Sequence, residues 1–280
     1  MDRVLVLDFG SQYNQLIARR VRELKVYSEI VACDITADEV RRRNPQALIL
    51  SGGPASVLER GAPMPDPAIF KLGIPILGIC YGMQATTRAL GGRVAGGSSR
   101  EYGRAQLRPG GSRLLAGVPR STQAWMSHGD HVARLPRGFK SVGRTAGIAN
   151  AAMADEDRLI YGVQFHPEVE HTPEGRKILA NFVLGIAGAR PTWTMQNFIR
   201  EKIEQVRERV GTGRVICAVS GGVDSSVMAA LLARAVGKRL LAVFVDNGLL
   251  RHEEEMTVSR TLGRRMTLKT VDARKRFLSR

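Results

Sequence analysis

A cysteine between two glycines is the first residue of this sequence whose setting suggests chemistry. Cys80 lies in the run Gly-Ile-Cys-Tyr-Gly-Met-Gln at 78–84, between an apolar stretch and a helix-compatible segment. Gly-x-Cys-x-Gly is the thiol counterpart of the strand-to-helix corner that presents a nucleophilic serine in α/β enzymes. N–H groups at the start of the helix would favour the thiolate. The alternative is a buried structural cysteine, since free cysteine commonly packs as a small hydrophobe.

A base and an orienting acid are available in His166-Pro167-Glu168. In an extended backbone residues i and i+2 project to the same side, so Glu168 could fix the tautomer of the His166 imidazole. With Cys80 this gives a nucleophile, a base and an orienter. The glutamate is what distinguishes this histidine from the others, and the alternative bases are His128, His131, His171 and His252.

A tetrahedral oxyanion would need free backbone N–H groups near the thiol. The run Ser-Gly-Gly-Pro at 51–54 could supply one from Gly53, and Tyr81, directly after Cys80, could supply another. Each such donor contributes about 3–4 kcal/mol to transition-state stabilisation. Taken alone, Ser-Gly-Gly-Pro is better interpreted as an ordinary turn.

A second glycine-rich run, Ser-Gly-Gly-Val-Asp-Ser-Ser, occupies 220–226 after an apolar segment. Its N–H groups at the start of a helix predict a phosphate cradle, although a Gly-Gly turn without function is common. It is not a Walker A loop, because Asp224, Ser225 and Ser226 stand where that motif ends in Gly-Lys-Ser/Thr. An acidic Asp224 beside phosphates suggests that Mg²⁺ bridges them.

Composition limits the class of protein. A length of 280 residues with 44% hydrophobic content predicts about two ordinary domains. No apolar run approaches a membrane span and no signal-peptide pattern opens the chain, so we expect a cytoplasmic protein with Cys33, Cys80 and Cys217 as free thiols. The net charge of +16 suits anionic ligands such as nucleotides. Because the basic residues lack interleaved aromatics, we expect a solvated surface rather than a nucleic-acid interface.

The pattern of strands and helices around these residues predicts a doubly wound, mostly parallel α/β sheet. Apolar runs at 4–10, 29–33 and 47–50 alternate with helical patterns. Residues 8–13, 51–54 and Cys80 follow strand ends and should converge on one crevice. Short alternating segments within 101–165 predict an antiparallel extension at the edge of that sheet, in which residues 125–131 read as a loop.

A second, smaller α/β domain follows a linker at 187–191. We place the boundary so that residues 1–190 form the first domain and 191–280 the second. An amphipathic helix at 195–210 precedes predicted strands at 215–219 and 241–245, with a possible third strand near the end. The second domain therefore reads as an incomplete parallel nucleotide-binding sheet.

The combined motifs resemble a known family. The runs at 78–84, 51–54 and 166–168 resemble class I glutamine amidotransferases, and the run at 220–226 resembles the loop of ATP pyrophosphatases. Their order is similar to that in the glutamine-hydrolysing GMP synthase family. Further similar runs are Asp-Phe-Gly-Ser-Gln-Tyr at 8–13, Trp-Met-Ser-His-Gly-Asp at 125–130 and Val-Phe-Val-Asp-Asn-Gly-Leu-Leu-Arg at 243–251.

The resemblance implies a carbon–nitrogen ligase of purine nucleotide biosynthesis. Its substrates would be L-glutamine, ATP and xanthosine monophosphate, with Mg²⁺ held by Asp224. The catalytic residues would be Cys80, His166 and Glu168, with Gly53 and Tyr81 as oxyanion donors. The resemblance further implies that Gln84 and His128 lie near the bound glutamine and that Val245 lies near the adenine. The implied ATP loop consists of Ser220, Gly221, Gly222, Val223, Asp224, Ser225 and Ser226.

Members of that family continue well beyond residue 280, with more of the pyrophosphatase sheet and a dimerisation domain. We therefore expect this chain alone to show weak glutaminase activity at most and no GMP formation, and a homodimer is expected for the longer family members. The alternatives are a stand-alone glutaminase, a glutaminase that serves another synthetase, an RNA-modifying enzyme, and a non-catalytic nucleotide-binding remnant of the synthetase.

Overall fold

The computed structural model describes residues 1–251, 254–264 and 266–279, with the backbone alone at 97–101. The chain divides into two units, Met1–Trp193 and Thr194–Arg280. Within the described residues no helix combines the length and the apolar character that crossing a membrane requires.

The strands of the first unit join into one sheet. They are β1 (Arg3–Asp8), β2 (Tyr27–Ala32), β3 (Ala47–Leu50), β4 (Ile76–Ile79), β5 (Arg93–Pro109), β6 (Thr122–Arg134), β7 (Lys140–Arg144), β8 (Ala152–Asp155) and β9 (Ile160–Val163). The sheet order is β2-β1-β3-β4-β9-β8-β7-β5-β6. From β2 to β9 neighbouring strands are parallel, and from β9 to β6 they are antiparallel. The predicted parallel sheet with an antiparallel extension is confirmed.

Helices cover both faces of the parallel half. They are α1 (Asn14–Glu23), α2 (Ala37–Arg43), α3 (Tyr81–Ala89) and α4 (Gly175–Ala180), which runs on into the π-helical turn Asn181–Ile186. Because successive strand residues point to opposite faces, β1 serves two apolar cores. Val4 packs in the cluster that contains Ile17 of α1, whereas Leu5 belongs to the cluster with Val40 of α2 and Met83 of α3. This is the doubly wound arrangement.

The prediction of a loop at 125–131 is wrong, because these residues lie within β6. The strand pairs antiparallel with β5, with Trp125 opposite Arg104 and Ser127 opposite Tyr102. Ala124, Met126 and His128 are buried in alternation, as a half-buried strand requires. The period of two is hidden in the sequence because the third inward residue is a histidine and a glycine follows it.

Helix α3 packs on the sheet through two glycines. A Cβ on Gly78 would lie 2.6 Å from the backbone of Gly82, and a Cβ on Gly82 would lie 2.7 Å from the carbonyl carbon of Leu50. Side chains essentially never approach backbone so closely. The N–H of Gly82 donates to the carbonyl of Ser51 at 3.0 Å. Helix and sheet therefore touch backbone to backbone at the corner that holds Cys80.

The second unit is a smaller α/β layer. It contains β10 (Val215–Val219), β11 (Leu240–Asp246) and β12 (Leu268–Asp272), with α5 (Met195–Val210), α6 (Val223–Val236), α7 (Glu254–Gly263) and α8 (Arg274–Leu278). The strands pair in parallel in the order β10-β11-β12, so the possible third strand is confirmed. Cys217 and Phe244 share a core with Ile203 of α5 and Ala229 of α6, whereas Ile216 on the other face of β10 is 75% exposed.

We expect the Gly82→Ala substitution to lower the free energy of unfolding of the first unit by at least about 1–3 kcal/mol, because the methyl group would overlap the Leu50 carbonyl. Urea denaturation monitored by circular dichroism measures this effect. Gly185→Ala is the control, since a Cβ at Gly185 meets nothing within 4 Å in its helical turn. Alanine there should be neutral or slightly stabilising. Equal stability of the two variants would contradict the close packing of Gly82 against the backbone of Leu50.

Candidate active site

Cys80 occupies the corner between β4 and α3. Its backbone has φ +51° and ψ −105°, a conformation that side chains with a Cβ seldom adopt. Such strain costs of order 1–3 kcal/mol and persists where surrounding contacts hold it. Here its N–H donates to the carbonyl of Val163 at 2.7 Å. The predicted strand-to-helix corner is confirmed.

His166 and Glu168 lie just beyond the end of β9, beside this corner. His166 Nδ1 is 2.7 Å from Glu168 Oε1. The Cys80 side chain lies beside the same imidazole, since a Cβ on Gly52 would touch both. His166 is 4% exposed and Glu168 is fully buried. The structure thus brings Cys80 next to the hydrogen-bonded pair of His166 and Glu168. The i, i+2 spacing of the histidine and the carboxylate accounts for that pair.

The surroundings of His166 set its charge. Burial lowers the pKa of His166, but hydrogen bonds to Cys80 and Glu168 and the charges of these two groups outweigh burial and raise the pKa to about 10. The imidazolium form is therefore favoured at neutral pH when its two neighbours are anionic. This arrangement suits a thiol that passes its proton to histidine.

Contacts from distant elements fix the position of this histidine and its partner. Thr172 Oγ1 donates to the carbonyl of His166 at 2.7 Å and accepts the N–H of Trp125 at 3.0 Å. The Tyr13 ring lies edge-on to the imidazole at 5.3 Å between centroids, and Arg20 Nε donates to the carbonyl of Glu168 at 2.9 Å. Sequence analysis missed Thr172 and Arg20, because no motif marks them.

The two candidate oxyanion donors flank the thiol. Tyr81 opens α3, so its N–H has no acceptor one turn earlier in that helix. Gly53 follows a turn in which Ser51 Oγ accepts the N–H of Phe9 at 3.0 Å. A Cβ on Gly52 would lie 3.0 Å from His166 Cε1 and 3.8 Å from Cys80 Cβ. The predicted convergence of the three strand ends on one crevice is confirmed.

A cavity of about 270 Å³ opens beside the thiol. Pockets for drug-sized ligands measure about 300–1,000 Å³, so this volume suits a ligand of amino-acid size. Gln84 Nε2 donates to the carbonyl of Asp130 at 2.8 Å. The cavity is lined by Cys80, the candidate oxyanion residues Gly53 and Tyr81, the candidate ligand residues Gln84 and His128, and Pro54, Ala55, Tyr102, Ser127, Gly129 and Asp130.

The other candidate bases are placed differently. His131 lies on β6, three residues beyond His128, and the His171 ring packs against Trp125 at 4.6 Å between centroids. His252 lies outside the described residues. His166 has the carboxylate of Glu168 at hydrogen-bond distance and lies beside Cys80.

The glycine-rich loop of the second unit connects β10 with α6. Gly221 has φ +78°, and Ser225 Oγ accepts the N–H of Ser220 at 3.2 Å. Asp224 lies in the first turn of α6 and is exposed. Val219 pairs with Phe244, so Val245 lies at the same sheet edge as the loop and is 41% exposed. The described residues contain no cluster of three or more potential histidine, cysteine or carboxylate metal ligands.

Comparison with known proteins agrees with this geometry. A family model described as glutamine amidotransferase class-I matches residues 5–186. The chain belongs to this family. A model described as NAD synthase matches residues 193–275, which include the glycine-rich loop. The solved structure of a candidate GMP synthase component from Thermoplasma acidophilum superposes on this class-I amidotransferase with a TM-score of 0.62 at 30% identity, covering 72% of this chain and 98% of that one.

The curated relatives extend the similarity to both units. A glutamine-hydrolysing GMP synthase from Heliobacterium modesticaldum is 53% identical, covering 100% of this chain and 55% of the relative. One from Staphylococcus aureus is 50% identical, covering 99% and 54%. The amidotransferase chain thus spans about half the length of these relatives. A glutamine amidotransferase from Thermotoga maritima, at 20% identity and a TM-score of 0.50 over 84% of this chain and 98% of its own, shares the fold.

In this amidotransferase we expect Glu168→Gln to lower the pKa of His166, because the raised value depends on the charge and hydrogen bond of that carboxylate. Loss of one opposite charge at this distance corresponds to about 1–3 pH units. The imidazolium should then be lost at a lower pH than in the parent protein. NMR titration of the histidine side chains measures the difference.

Glu170→Gln is the matched control, since Glu170 is two residues away and exposed. Its His166 titration should equal that of the parent protein. An unchanged titration in the Glu168→Gln variant would show that this carboxylate does not set the charge of the imidazole.

Proposed function

We propose that the first unit hydrolyses the side-chain amide of L-glutamine with Cys80 as nucleophile. The observation that carries this proposal is the Cys80 thiol at the wall of a cavity of amino-acid size, beside an imidazole that is hydrogen-bonded to Glu168. Membership of the class-I amidotransferase family supports it. The catalytic roles of the three residues are part of the proposal.

The reaction follows from the geometry. Nδ1 of His166 is hydrogen-bonded to Glu168, which leaves Nε2 available as the base. Nε2 takes the thiol proton as Cys80 Sγ attacks the amide carbon. The N–H groups of Gly53 and Tyr81 stabilise the oxyanion, and His166 returns the proton to the leaving nitrogen, which departs as ammonia. Water then attacks the thioester with His166 as base, which releases glutamate and restores the thiol. Gln84 and His128 are the proposed contacts to glutamine.

The second unit is proposed to bind ATP at residues 220–226. Exposed loop N–H groups and hydroxyl groups at the start of a 14-residue helix suit phosphates. Asp224 is the proposed Mg²⁺ ligand, and one carboxylate is sufficient because Mg²⁺ in nucleotide sites is held largely by water and phosphate oxygens. When bound, Mg²⁺ would neutralise phosphate charge. Val245 is the proposed contact to the adenine.

The names of the relatives extend the proposal from the two separate units to an overall reaction. Together with the rest of such a protein, these two units would supply ammonia and ATP for the amination of xanthosine monophosphate to GMP. The glutamine-hydrolysing GMP synthases that match both units support this overall reaction. The overall reaction is proposed for a protein of the relatives' full length, since this chain spans about half of that length.

We expect Cys80→Ala to reduce ammonia release from glutamine to background, since the nucleophile is removed. Cys33→Ala, in the same unit and half-buried, should retain the parent rate and is the control. A coupled glutamate dehydrogenase assay measures the rates, with and without ATP and xanthosine monophosphate. No ammonia from the parent protein under either condition would favour a non-catalytic nucleotide-binding protein.

For the second unit we expect Asp224→Asn to weaken ATP binding about tenfold in Mg²⁺ and to leave it unchanged in EDTA, because the carboxylate acts through the metal. Isothermal titration calorimetry measures both constants. Glu208→Gln is the control, since Glu208 is an exposed acid on α5 that is not part of the loop. Equal weakening with and without Mg²⁺ would contradict Asp224 as the metal ligand.

A further inference from the structure

Gln164 is a fully buried amide that the proposed mechanism leaves unused. It follows β9 directly and lies two residues before His166, and its N–H donates to the carbonyl of Ala151 at 2.8 Å. Its side chain reaches the corner of the active site, where Nε2 is 3.7 Å from Cys80 Sγ. A buried amide is retained at such a place only where its polar atoms find partners.

The direction of this amide is fixed by a second glutamine. Gln84 Nε2 lies 2.8 Å from the carbonyl oxygen of Asp130, so this atom must be a donor. The same nitrogen is 3.3 Å from Gln164 Oε1, which must therefore be the acceptor. The NH₂ group of Gln164 is then left to face the sulfur. The chain of bonds runs from the Asp130 carbonyl through Gln84 and Gln164 to Cys80.

The sulfur has competing neighbours. The carbonyl of Ser127 is 3.5 Å from Cys80 Sγ and can accept the thiol proton, which favours the neutral thiol. An N–H donor has the opposite preference, because it stabilises the thiolate. Gln164 is neutral, so it favours the thiolate without adding a charge that would compete with His166.

We propose that Gln164 is a positioning residue for the nucleophile: its side-chain NH₂ holds Cys80 Sγ toward His166 and stabilises the thiolate. Gln84 has a second role in this arrangement, because it fixes the orientation of the Gln164 amide. The inference deepens the proposed glutaminase function and rests on it for its catalytic consequence. The contact with the sulfur stands independently of that function.

Several titratable groups surround the sulfur besides the nucleophile itself. The imidazole of His166, backed by Glu168, lies on the β9 side. From the sheet extension, His128 and Asp130 of β6 and Tyr102 of β5 line the cavity. Tyr81 of α3 also lines it, and its hydroxyl donates to the carbonyl of Pro63 at 2.7 Å. A substitution at Gln164 leaves all of these groups in place.

The test is the pH profile of Cys80 alkylation by iodoacetamide in the 280-residue protein, with peptide mass spectrometry to separate the three cysteines. Gln164→Leu removes the donor at nearly constant volume. We expect alkylation of Cys80 at pH 7 to slow about tenfold, as for the loss of a hydrogen bond to a charged group. The profile should move to higher pH. Gln164→Glu should move it further, because a carboxylate faces the thiolate.

Gln123→Leu is the matched control. Gln123 lies on β6, and its side-chain amide donates to the carbonyl of His171 at 2.7 Å, away from the sulfur of Cys80. Its Cys80 profile should match the parent protein. Gln164→Met is the second variant should Gln164→Leu fail to fold, since methionine is unbranched. Alkylation of Cys33 and the thermal melting curve report folding in each variant.

Steady-state glutaminase kinetics separate this role from substrate binding. Gln164→Leu should lower kcat about tenfold and leave KM for glutamine within about twofold, as for an interaction that acts on the nucleophile. A parent-like alkylation profile in folded Gln164→Leu and Gln164→Met would overturn the inference and leave the glutaminase proposal intact. If the variants shift the alkylation profile but the parent protein itself releases no ammonia, the contact is supported and the glutaminase proposal is refuted.

Discussion

The backbone contact between α3 and the parallel sheet is the constraint on which the active site depends. Gly78 and Gly82 bring the helix so close that the residue between them must turn sharply, and Cys80 adopts φ +51° as a result. This conformation is unfavourable by itself, and the packing of α3 against β3 and β4 maintains it. The same turn leaves the N–H of Tyr81 at the open end of the helix. One steric requirement thus sets the place of the thiol and of a candidate oxyanion donor.

The site is completed where the parallel half of the sheet meets the antiparallel ribbon of β5 and β6. Parallel strands bring Ser51, Cys80 and His166 to one edge, because their carboxyl ends coincide. The ribbon supplies the opposite wall, with the carbonyl groups of Ser127 and Asp130 directed at Cys80 and Gln84. Neither part alone encloses the cavity. This explains why an extension at the sheet edge, distant in sequence from the cysteine, belongs to the active site.

The two units share a strand-turn-helix corner but present different groups at it. In each, a parallel strand ends in a turn of positive φ and a helix begins at once. In the first unit the positive φ falls on Cys80, so the corner presents a side chain, enclosed by the groups around it. In the second it falls on Gly221, so the corner presents backbone N–H groups in an exposed loop. The residue at the turn decides whether the corner suits a nucleophile or an anion.

Much of this protein was determined by local sequence. Continuous apolar runs specify strands buried on both faces, the glycines around Cys80 specify the corner, and His166 and Glu168 share a side because they are two residues apart. The tertiary structure alone decided that residues 125–131 form a strand, because that conformation depends on pairing with β5. It alone brought Gln164 to the sulfur of Cys80, across 84 residues of sequence, and Thr172 to the backbone of Trp125. Local patterns encode backbone conformation and burial, whereas these contacts arise where distant elements meet.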